Sequence, residues 1–130
     1  MTGKADRPTT ISDLNWRFRY EADRTDGWTA LQGEDLRGDC DDYALTAALI
    51  MADWSWLRFW FHVLTFQTRF HHVRARHNGE SHLVLYVRGP GYIDNIYREW
   101  MTSNPHPKNF PWVALPPIVA LKILAGKFRD

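Results

Sequence analysis

A chain of 130 residues is long enough for one core and too short for two ordinary domains. Its 45% apolar and 15% aromatic content excludes a disordered chain. The 16 basic and 15 acidic side chains are interspersed to a formal charge of +1, which argues against a nucleic-acid partner, and a single cysteine excludes an internal disulfide.

Residues 1–10 are polar and are expected to form a flexible tail, with a single domain over 11–130. The start has no apolar h-region, and no segment reaches the ~18 apolar residues of a membrane span. The expectation is therefore a soluble protein without a signal peptide. Residues 12–20 offer a short helix or turn and then an alternating aromatic/Arg stretch. Residues 21–38 carry Gly27, Gly33 and Gly38 and read as loop, with a helical turn near Leu31. Residues 39–53 form the strongest helix: Asp39 can cap it, acidic residues fill its first turn, and Ala, Leu and Met follow all round, as in a helix buried against a sheet. Residues 59–66 alternate in a way that predicts a strand buried on both faces. The mixed basic and aromatic stretch 69–76 reads as a polar strand or loop. Asn78-Gly79 predicts a turn, and 81–87 and 92–97 the arms of an antiparallel meander around Gly89-Pro-Gly91. After an irregular stretch through Pro107 and Pro111-Trp112, a short helix starts at Pro116-Pro117, runs over 118–125 and stops at Gly126.

Cys40 is the residue with the clearest chemical promise. With Asp39 as N-cap it is the first residue of the helix, where unpaired N–H groups and the positive end of the macrodipole favour a thiolate and can serve an oxyanion. Asp39, Asp41 and Asp42 oppose that effect unless capping or a cation neutralises them. Calcium held by Asp39 and Asp41 is one such possibility. The histidines lack the paired spacing of a zinc site.

The stretch running from Asn15 through Tyr20, Asp23, Trp28-Thr and Glu34 to Gly38-Asp-Cys-Asp-Asp-Tyr-Ala44 resembles the signature of the bacterial transglutaminase-like cysteine peptidases. Ser81-His-Leu-Val-Leu-Tyr-Val87 and Tyr92-Ile-Asp-Asn95 resemble that family's histidine and aspartate strands. The resemblance implies an α+β, papain/transglutaminase-like fold, with a central N-terminal helix carrying the cysteine and packed on an antiparallel sheet. It implies a Cys40-His82-Asp94 triad that attacks an amide, with Trp28 as an oxyanion or site wall, and no required cofactor. The chain is shorter than typical members, and small versions occur in phage genomes. Cytoplasm of a bacterial host or a virion is therefore the expected location.

Hairpin geometry leaves the orienting residue open. A three-residue loop over Val87, Arg88 and Gly89 sets His82 opposite Asp94, and a turn centred on Gly89-Pro-Gly91 separates them by roughly 13 Å at ~3.3 Å per residue. A two-residue loop at Arg88-Gly89 puts Asn95 opposite His82 instead. Three functions follow: a thiol amide hydrolase or acyltransferase on a peptide or protein substrate, a catalytically silent module binding an assembly partner through the apolar C-terminal helix, or a peptidoglycan-bridge amidase.

Overall fold

The helix opened by Asp39 is the centre of the fold. The computed structural model describes residues 7–21, 27–32, 36–74, 81–103 and 112–127. Their elements run α1 (Ile11–Arg17), β1 (Phe18–Tyr20), β2 (Leu36–Gly38), α2 (Cys40–Met51), α3 (Trp56–Leu64), β3 (Thr68–Arg74), β4 (Ser81–Val87), β5 (Gly91–Ile93), β6 (Trp112–Val113) and α4 (Pro116–Lys127).

Asp39 closes a capping box: its carboxylate accepts the Asp41 and Asp42 amides, and the Asp42 carboxylate reaches back to the Asp39 N–H. Each such cap contributes about 1 kcal/mol. Every residue from Asp42 to Ile50 is buried, as an all-round apolar helix requires. α2 packs on β4, the second strand of an antiparallel sheet ordered β5-β4-β3-β6. Leu83, Leu85, Val87 and Phe70 turn to the helices and join the core. Strand alternation sends His82, Val84 and Tyr86 to the opposite face, where Tyr86 and Tyr92 pack 4.9 Å apart. A short parallel pair, β1 with β2, stands apart from this sheet. The class is therefore α+β.

Three local expectations are corrected. The strand expected over 59–66 is helix α3: Ser55 caps it by accepting the Arg58 amide, and Phe59 and Val63, four residues apart, are its buried pair. Apolar residues at both parities mimic a two-faced strand, so alternation carried no information there. The arm expected over 92–97 ends at Ile93, because Asp94 draws the next amides into a turn. Gly126 does not stop the last helix; it lies inside α4, where its missing Cβ lets the helix sit on the Trp28 backbone. Of the expected tail, residues 1–6 lie outside the described residues, while Pro8 is buried and its carbonyl accepts the Trp54 indole N–H. The Asn78-Gly79 turn also lies outside the described residues. Among the described residues no helix is long and apolar enough to cross a membrane.

Candidate active site

The β4–β5 hairpin sets the histidine against the acid. Val87 pairs with Gly91, Tyr86 with Tyr92 and Leu85 with Ile93, so the loop is Arg88, Gly89 and Pro90. This register lies between those the sequence allows: extended by one residue, it puts Asp94 beside Val84, on the same face as His82 and one pair away. Side-chain reach closes that diagonal. His82 Nε2 and Asp94 Oδ2 are 3.0 Å apart, with 6% and 1% of each residue exposed. Asp94 Oδ1 accepts the amides of Ile96 (3.2 Å) and Tyr97 (2.8 Å), which fixes the carboxylate from its other side. Against an ionised carboxylate, which only accepts, Nε2 would be the donor of this pair and Nδ1 the ring nitrogen left for other partners. Asn95 does not take the orienting place; its Oδ1 is buried without a hydrogen-bond partner among the described residues.

Cys40 enters at the point where β5 has ended. Its sulfur accepts the Leu83 N–H, one residue along β4 from His82, and its S–H points to Asp41 Oδ1 at 3.5 Å. The thiol's hydrogen-bond partners among the described residues are these two groups and not the imidazole. Burial above all, then the Asp41 charge, pushes the thiol far above its ordinary range; the Leu83 amide works in the opposite direction, and Asp39 adds to the rise. The resting thiol is protonated.

A second set of contacts ties the acid-bearing turn to the cysteine helix. Tyr43, one turn after Cys40, donates its hydroxyl to Asn15 Oδ1 on α1, and Asn15 Nδ2 donates to the Arg98 carbonyl at 2.7 Å. Arg98 returns the contact through its guanidinium to the carbonyls of Asn95 (2.8 Å) and Asn15 (3.3 Å), and it stacks over Phe18. Asn15 belongs to the stretch that carries the family resemblance. Arg98 had no such signal: its part depends on a left-handed backbone, φ 56°, that a non-glycine sequence does not announce.

Trp28 is a core residue, packed 4.8 Å from Phe70, and it lines a cavity of about 290 Å³ with Thr29, Gln32, Trp56 and Gly126. The Thr29 N–H donates to Asp42 Oδ1 at 2.8 Å and so ties this segment to the first turn of α2. Asp42, buried beside Asp39, is pushed up to about 7; desolvation leads, the Asp39 charge follows, and the Thr29 and Asp39 amides pull against them. Asp39 and Asp41 bring two carboxylates to the thiol's side of the helix. Among the described residues no group of three or more His, Cys, Asp or Glu side chains is placed to hold a metal ion.

No protein-family model matches the chain, and no curated protein matches it.

Proposed function

We propose that the chain is a thiol-dependent amide hydrolase or acyltransferase on a papain/transglutaminase-like domain, with Cys40 as nucleophile, His82 as proton carrier and Asp94 as orienting acid. The observation that carries this reading is the buried His82–Asp94 contact at 3.0 Å on the strand whose next amide holds the Cys40 sulfur. A buried imidazole–carboxylate pair beside a helix-start thiol is the arrangement that acyl transfer needs. Because the resting thiol is protonated, the proton leaves as the carbon–sulfur bond forms. His82 Nδ1 takes it and returns it to the departing amine, leaving a thioester that water or a second amine resolves with release of the thiol. The Leu83 N–H is a donor beside the carbon under attack. A peptide or protein amide is the substrate class, and a peptidoglycan bridge is one amide of that kind.

Alkylation of Cys40 by iodoacetamide, followed across pH in the parent and in His82→Asn, tests the assignment. An activated site alkylates faster in the parent than in the variant at neutral pH, and Cys40→Ala abolishes both labelling and amide turnover with the fold intact. Equal rates in parent and His82→Asn overturn it.

A second reading, a silent binding module on the same fold, is favoured by the half-buried, protonated thiol. It expects slow alkylation that does not respond to His82. Calcium at Asp39 and Asp41 would cancel charge beside the sulfur; thermal unfolding in millimolar calcium against chelator checks it, and unchanged unfolding counts against it.

A further inference from the structure

We propose that the outer faces of α3 and α4 form the interface of a homodimer. Both helices carry more apolar surface than one domain covers. On α3, Phe59 and Val63 face the core, and Leu57, Phe61 and Leu64 are exposed. On α4, Val119 and Ile123 face the core, and Ile118, Leu121 and Leu124 are exposed.

These exposed residues make one patch. At 3.6 residues per turn, the apolar arc of α3 runs without interruption from Phe59 and Val63 through Trp56 and Trp60 to Leu64, Leu57 and Phe61. The arc of α4 runs from Val119 and Ile123 through Ala120 and Leu124 to Leu121 and Ile118. Trp56 and Trp60 face Ala120, Ile123 and Leu124 across a groove of about 390 Å³. Each arc therefore leaves the core on the side of that groove and continues to the outer surface, and the two stripes flank the groove. The polar residues of α3, Arg58 and His62, lie away from it.

Size and shape indicate a second copy as the occupant. Leu57 is 84% exposed and Leu121 62%. With their neighbours on the two helices they present on the order of 600 Å² of apolar side chain, against about 800 Å² per partner in a standard interface, the rest coming from the rim. An isologous contact requires one surface to hold both ridge and recess. Here the Leu121 and Leu124 ridge borders the groove that receives its equivalent, and the paired helices of two copies form a four-helix layer. Neither α3 nor α4 contains an acidic residue, so no buried carboxylate opposes the contact.

Sedimentation equilibrium of the full chain tests this. The parent is expected at twice its 15.3 kDa over a micromolar range, with unfolding that shifts to higher temperature as concentration rises. Leu121→Glu and Leu57→Glu, both at exposed positions on different helices, should each give a folded monomer with an unchanged circular dichroism spectrum. A parent that is monomeric throughout that range overturns the proposal, and if that monomer sediments with lipid vesicles the patch serves a membrane surface. A dimer that persists in both variants also overturns it, because the contact then lies elsewhere.

Discussion

Asp41 is the largest charge acting on the Cys40 thiol after burial itself. Its carboxylate accepts the S–H and destabilises the thiolate, and both effects raise the pH at which the sulfur reacts. Asp41→Asn should lower the thiol pKa by about one unit, which is about tenfold in alkylation rate at a fixed pH below it. Stopped alkylation read by mass spectrometry checks this; a rate unchanged by the substitution would leave burial and the Asp39 charge as the causes. The hydroxyl of Tyr43 acts differently, through position. Tyr43→Phe strands the Asn15 carbonyl and loosens the turn that holds Asp94, at a cost of about 1–3 kcal/mol. The ring N–H signal of His82 should broaden or move in that variant while Cys40 alkylation at high pH stays the same. A merely destabilised protein would show the loss of stability without the change at His82. At this scale the sequence was informative where a residue's role depends on its neighbours in the chain: Asp39 as cap and Cys40 as the first helical residue follow from local order. It was silent where the role depends on contacts across the chain, as with Arg98 and the orphaned Asn95 carbonyl.

The first turn of α2 carries its own pH dependence. Asp42 titrates at about 7 in the folded chain and near 4 when unfolded. The folded state therefore holds the proton more tightly. Stability from this group is fully present below pH ~4 and is lost as pH rises through about 7, a swing of a few kcal/mol. Denaturant unfolding should give a higher midpoint at mildly acidic than at mildly alkaline pH, and Asp42→Asn should flatten the difference. A slope that survives in the variant assigns the effect to other groups. Helix α2 was readable because cap, acidic turn and composition agree. Helix α3 was misread because its nine residues include only Arg58 and His62 as polar markers, so strand and helix periods fit almost equally well until Ser55 is recognised as a cap. The β4–β5 pair was placed correctly as a hairpin, but its loop was not any of the three weighed. Pro90 stands as the loop's third residue and Gly91 opens the strand at φ 107°.

The α+β class and the cysteine helix against a sheet were visible in the order of patterns; how the last helix closes the molecule was not. α4 reaches the domain through the backbone: the Trp28 N–H donates to the Lys122 carbonyl at 2.8 Å, and a Cβ on Gly126 would meet the Trp28 carbonyl at 2.1 Å. Contacts of this kind depend on closeness between segments about a hundred residues apart, which local periodicity does not encode. Gly126→Ala must push the helix off Trp28 and should cost about 1–3 kcal/mol. Removing the chain from Pro116 onward is more severe. It uncovers the groups that Val119 and Ile123 bury, each contributing about 1.5–3 kcal/mol, and strips the cover from the Trp28 side of the core. Against a total stability of about 5–15 kcal/mol for a domain, the loss is large enough to unfold it. The truncated chain should therefore lack a cooperative thermal transition or aggregate, whereas Leu121→Glu, which alters only the outer face of the same helix, should keep its transition. A soluble truncation with the parent's melting temperature would show that α4 adds nothing to the domain core and serves the interface alone.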